Sequence, residues 1–130
     1  MGIVLMLHSL WRWVVVVVAL VALVKFGLGW LQKKTPDAFD RRLVMAFTTT
    51  IDIQVLLGIV LVVLMAMGSS VPMSAIEHIV TMVIAAVVAH LTGMWHKRED
   101  NAVLRNNFFV VLVTMVLIAA GVSVVNGWHF

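Results

Sequence analysis

The sequence predicts an all-α integral membrane protein, a four-helix antiparallel up-down bundle forming one domain over residues 1–130. Three observations predict it. Apolar residues make up 63% of the chain and the mean hydropathy is +1.12, whereas a soluble domain is about 45–50% apolar. Four apolar blocks each approach or exceed the roughly 20 residues that a helix needs to cross hydrocarbon. The three connections are short, which makes successive helices antiparallel neighbours.

The first span covers residues 4–31. It lacks a basic leader, is too long for a signal-peptide core and carries no convincing small-residue cleavage site, so it is expected to stay as a span. The second span covers 43–67, the third 75–95 and the fourth 108–125. Their many valines do not argue for strands, because backbone hydrogen bonding inside a bilayer has to be satisfied within the segment. Transmembrane barrels would show short alternating segments instead.

The connections carry the orientation. Lys33, Lys34, Arg41 and Arg42 lie in the first, and Lys97, Arg98 and Arg105 in the third, which together hold seven of the nine basic residues. The second, Gly68-Ser69-Ser70-Val71-Pro72, has no charge. Basic loops stay on the cytoplasmic side, so both termini are expected outside. Trp11, Trp13 and Trp128 then mark the outer interface, and Trp30 and Trp95 the inner one. Basic residues clustered at span ends are not a nucleic-acid footprint. The chain has no cysteine, which excludes disulfides, c-type haem attachment, iron–sulfur clusters and thiolate zinc.

Polar residues inside the spans are the candidates for chemistry, because each costs free energy in hydrocarbon. His8 and His78 enter the first and third spans from the same face, about one and a half turns deep. Two imidazoles at one depth are the minimum protein ligation of a haem iron. Packing of each histidine against a backbone carbonyl is the competing reading. Arg12, one turn from His8 on the same face, suits a haem propionate. Gln54 and Gly58 share a face of the second span, nearer the middle. His78, Ala85, Ala89 and Gly93 form a stripe of small residues below the histidine, open to close approach by a macrocycle or a helix. His90 is a weaker metal candidate, since twelve residues from His78 is about 120° around a helix.

Other polar groups have plainer readings. Lys25 is expected to snorkel. Ser74-Ala75-Ile76-Glu77 fits a capping box, and Thr48, Thr49 and Thr50 suit bonds back to their own helix. His96 and His129 sit at span ends. Asp52, at mid-depth, calls for protonation, a bond to Gln54 or threonine, or a pair with Lys25 or His90.

Three segments carry a resemblance: His8-Ser9-Leu10-Trp11-Arg12-Trp13, Asp52-Ile53-Gln54-Val55-Leu56-Leu57-Gly58 and Ile76-Glu77-His78. With them the chain resembles small four-span bacterial membrane proteins of a cytochrome-b-like group. The resemblance covers the first three spans and implies haem b and a bacterial cytoplasmic (inner) membrane. Such proteins carry a histidine where this chain has Asp52, which leaves His8 and His78 as the axial pair.

The expected function is electron transfer near the outer leaflet by one bis-histidine haem between spans one and three. Its partners would be the lipid bilayer, a quinone or other redox membrane subunits, in a homo-oligomer or a larger complex. An electron carrier or subunit fits better than a stand-alone enzyme, since no nucleophile–base set or phosphate loop is evident. One alternative is a cofactor-free accessory subunit of a membrane complex. A second is a proton or ion pathway through Asp52, Gln54, Lys25 and His90.

Overall fold

The computed structural model of the chain describes residues 2–68 and 70–124. All regular structure there is helical: α1 Gly2–Leu31, α2 Ala38–Gly68, α3 Met73–Ala89 and α4 Ala102–Val124, with a 3₁₀ segment, His90–Trp95, continuing α3. Four helices, counting α3 with its 3₁₀ extension, are long and apolar enough to cross a membrane. Trp128 and His129, together with the expected last residue of the fourth span, Val125, lie outside the described residues.

The helices pack in a ring, α1 on α2, α2 on α3, α3 on α4 and α4 on α1. The core is built from stripes at helical spacing. Val15, Ala19, Ala22 and Phe26 come from α1, Leu43, Phe47 and Ile51 from α2, Ala85 and Ala89 from α3, and Leu104, Val111, Ile118 and Val122 from α4. The outward faces are apolar as well: Val17, Leu20 and Val24 on α1, Leu56 and Val63 on α2, Val87 on α3 and Val116 on α4 are exposed.

Helix ends depart from the expected boundaries for identifiable reasons. The second helix starts at Ala38 rather than residue 43, because Asp37 and Asp40 cap it reciprocally. The Asp40 backbone N–H donates to Asp37 Oδ1 at 2.8 Å, and the Asp37 N–H donates to Asp40 Oδ2 at 2.9 Å. The expected box at Ser74–Glu77 does not form: α3 begins at Met73 behind Pro72, with no side-chain cap. Glu77 instead lends its carbonyl to the Thr81 hydroxyl at 2.9 Å. The fourth helix starts at Ala102 rather than 108, and the third gives way to 3₁₀ geometry at His90.

Lys25 does more than snorkel. Its ammonium reaches Asp40 Oδ1 at 2.8 Å and Asp37 Oδ2 at 3.2 Å, so the end of α1 neutralises the cap of α2. The Asp40 side chain is 2% exposed, and a buried carboxylate needs such a partner. Beside this latch α1 closes with Lys33 at a φ of 55°. Lys33 N donates to Trp30 O at 3.1 Å and Lys34 N to Gly29 O at 2.9 Å, the paired bonds of a Schellman end. Asn101 stitches the third connection onto it, donating to Lys34 O at 2.6 Å and Gly29 O at 3.3 Å. Arg41 joins α2 to the same connection through His96 O at 2.5 Å and Arg98 O at 3.3 Å.

Two tests follow. A left-handed backbone costs a side-chain-bearing residue about 1–2 kcal/mol that glycine avoids, so Lys33→Gly should stabilise the protein by about 1 kcal/mol in reversible detergent unfolding. The Asp37 carboxylate is held below its ordinary range, first by the Asp40 N–H and then by the Lys25 ammonium. A depressed folded value stabilises fully above the unfolded carboxylate's range and is lost as pH falls through the folded value. The melting temperature should therefore be level near neutrality and fall in acid, and Asp37→Asn should flatten that fall.

Candidate functional site

The first and third helices lie diagonally across the ring, and His8 and His78 meet between them. Their ring centroids are 6.4 Å apart with an interplanar angle of 86°. Both side chains are half-buried. The two histidines that the sequence singles out are therefore brought together in the bundle.

Each histidine is held by a neighbouring helix. His78 Nδ1 lies 2.7 Å from the carbonyl oxygen of Gly121 on α4. A carbonyl only accepts, so Nδ1 carries a proton, and in the neutral ring Nε2 keeps its lone pair. Gly121 lets α3 and α4 approach closely: a Cβ there would meet Met82 Cε at 2.6 Å and Thr81 Cγ2 at 3.2 Å. On the other side α2 grips His8 with two residues one turn apart. Gln54 Nε2 donates to the His8 carbonyl at 2.9 Å. Gly58 leaves room for the ring, since a Cβ there would stand 3.3 Å from His8 Cε1. His8 Nδ1 and Gln54 Oε1 are buried with no hydrogen-bond partner among the described residues.

Arg12 follows one turn after His8, its guanidinium 5.2 Å from the Trp13 ring centroid. Trp11 Nε1 donates to Thr50 O at 2.8 Å, which fixes α1 against α2 one turn beyond the site. Ala85 and Ala89 lie in the bundle core, while Gly93 is exposed beyond the start of the 3₁₀ segment. The small-residue stripe thus serves helix packing and ends at Ala89.

The four polar residues expected in layers separate into three places. Gln54 belongs to His8 and Lys25 to the Asp37–Asp40 latch. Only Asp52 and His90 are joined, with His90 Nε2 2.7 Å from Asp52 Oδ1 and side chains 52% and 53% exposed. His90 therefore stands apart from the histidine pair, its Nε2 already engaged. The threonines follow expectation at two positions: the Thr48 hydroxyl donates to Val44 O at 3.1 Å and Thr50 to Phe47 O at 2.8 Å.

Sequence reasoning missed Gly121, whose only sequence signal is a glycine inside an apolar helix. It also missed Asn107, which accepts the Trp95 indole N–H at 2.7 Å. Among the described residues no three His, Asp or Glu side chains converge as a metal cage.

The chain matches no family model, no curated protein and no solved structure.

The geometry around His8 gives a direct test. Gly58→Val drives branched carbons into the imidazole, and overpacking of this kind costs about 1–3 kcal/mol. Gly93→Ala, where a new Cβ meets nothing within 4 Å, should change stability by less than about 0.5 kcal/mol. Thermal unfolding of the two variants in the same detergent compares them.

Proposed function

We propose that the chain is a membrane-embedded b-type haem protein that carries electrons, with one haem held between His8 and His78. The observation that carries this reading is the meeting of His8 and His78, ring centroids 6.4 Å apart, beside a buried and unpartnered His8 Nδ1; the bond from His78 Nδ1 to the Gly121 carbonyl suits plain helix packing as well as ligation. Metal-bound histidines donate their second ring nitrogen in this way, which fixes the tautomer and aims the other nitrogen at the metal.

The residues present fit that group. His8 and His78, with ring centroids 6.4 Å apart, are the two residues that would hold the haem iron. The buried, unpartnered His8 Nδ1 and Gln54 Oε1 mark a place where a further group would meet polar atoms. Gln54 and Gly58 set the His8 backbone and ring, and Arg12 supplies a cation for a propionate. When bound, haem b supplies a one-electron couple. The protein's part is to orient two neutral imidazoles and keep water away from them.

The membrane arrangement has its own support. Lys25 near the end of α1 meets Asp40 near the start of α2, whereas His8 near the start of α1 meets Gln54 farther along α2. His78 near the start of α3 meets Gly121 near the end of α4. These pairings favour an antiparallel up-down bundle, with the exposed apolar faces toward lipid. The basic first and third connections then face the cytoplasm, and the histidines lie toward the outer leaflet. Resemblance to small four-span bacterial proteins favours the bacterial cytoplasmic membrane.

The largely apolar exterior, interrupted by the exposed Asp52–His90 pair, favours a second reading, an accessory subunit packed against other membrane chains. Spectra separate the two. Protein purified in mild detergent with haem supplied should give a six-coordinate low-spin b-type spectrum, abolished in both His8→Ala and His78→Ala. A well-folded, colourless protein that cannot be reconstituted sinks the haem reading in favour of the accessory subunit. Loss in only one variant defeats the shared site.

A further inference from the structure

The 3₁₀ segment and the first turns of α2 and α4 enclose a cavity of about 360 Å³, within the range of small-molecule sites. It lies at the end of the bundle opposite the histidine pair. Six residues is long for 3₁₀ geometry. Its three-residue turn eclipses side chains three apart, so His90, Gly93 and His96 stand in one row, and all three line the cavity. Continued α-helical geometry would splay them around the axis.

Asn107 of α4 lines the same cavity and is 3% exposed. Its Oδ1 accepts the Trp95 indole N–H at 2.7 Å. An indole nitrogen only donates, so the amide cannot be turned the other way. Its Nδ2 engages no described atom and is a donor whose orientation the Trp95 bond sets in advance. Val44 and Val103 supply apolar wall.

His90 offers something different. Its Nε2 is held by Asp52 Oδ1 at 2.7 Å, and its Nδ1 engages no described atom. With Nε2 pinned, Nδ1 accepts when the ring is neutral and donates when it is protonated. The cavity therefore pairs a fixed donor with a group that meets either a carbonyl or a hydroxyl. A lipid ester or phosphate only accepts and has no use for the second. A flat ring with two oxygens that interconvert between carbonyl and hydroxyl uses both.

We infer that this cavity binds the head of a membrane quinone, with Asn107 Nδ2 donating to one ring oxygen and His90 Nδ1 meeting the other. Asp52 is a positioning residue that orients His90. The inference rests on the electron-carrier reading for its physiological sense, but binding is measured without haem.

The test is a titration of the full chain in neutral-lipid nanodiscs with a short-tail benzoquinone, read by quenching of tryptophan fluorescence. Saturable binding is expected. Gly93→Leu fills the cavity from a position where a new Cβ meets nothing within 4 Å, and it should weaken binding by about tenfold or more, as should Asn107→Leu. Asp52→Asn keeps an acceptor for His90 and should stay within about threefold of wild type, while Asp52→Ala falls outside that window. His8→Ala and His78→Ala should bind the quinone as wild type does, so failure of the haem site leaves this result intact. Quenching that does not saturate, or saturable binding unchanged in Gly93→Leu, overturns the inference. So does saturation by an anionic phospholipid that the benzoquinone fails to displace.

Discussion

The Lys25 ammonium holds two carboxylates at once, and the join between α1 and α2 turns on that. The chain is so apolar that an unpaired charge near a helix end has no polar surface to retreat to. Asp37 and Asp40 would repel each other if each capped the helix alone. With Lys25 between them they cap α2, have their charge offset by the ammonium and dock α1 in one step. Arg41 and Asn101 then spend their donors on the carbonyls that the turns leave free, so hydrogen bonds close the loop end of the bundle over apolar packing around Phe26, Leu43 and Leu104.

The opposite end follows a different rule. Its polar side chains are satisfied from one side only. His78 is tied to Gly121 and His8 to Gln54, yet each tie uses one polar atom and leaves another. At the loop end Asn107 Nδ2 and His90 Nδ1 engage no described atom and belong to residues that line one cavity. At the histidine end the atoms left over are His8 Nδ1 and Gln54 Oε1. Buried unpartnered polar atoms are rare in folded proteins. At the histidine end they fall beside the two imidazoles.

What could be read from the sequence was whatever depends on one helix at a time. The four spans follow from apolar run length. The choice of His8 and His78 follows from counting turns inward from each span's start. What escaped depends on which helix lies beside which. Ser74–Glu77 and Asp37–Asp40 both fit the spacing of a reciprocal cap. Pro72 starts α3 one residue early and places Ser74 inside the first turn, while Lys25 reaches across from α1 to favour the aspartate pair. Asp52 had several possible partners by depth alone, and the contact between α2 and α3 selects His90. Gly121 carries no polar side chain, so its backbone carbonyl gave the pattern nothing to find.

The third helix connects these observations. His78 and His90 are separated by about 18 Å of rise at 1.5 Å per residue, on an element whose α geometry holds only as far as Ala89. Up to that point Ala85 and Ala89 keep the helix buried against the core, and the position of His78 is set by how tightly Gly121 lets α4 approach. Beyond it the tighter turn rotates each residue by about 120° instead of 100°. His90 is thereby carried out to Asp52, while Gly93 and His96 stay aligned with it along the cavity. An α-helix continued through His90 would move these side chains off their common face. The change of helix type is therefore the structural step that converts a buried packing stripe into a lined cavity, at the end of the same helix that supports the histidine pair.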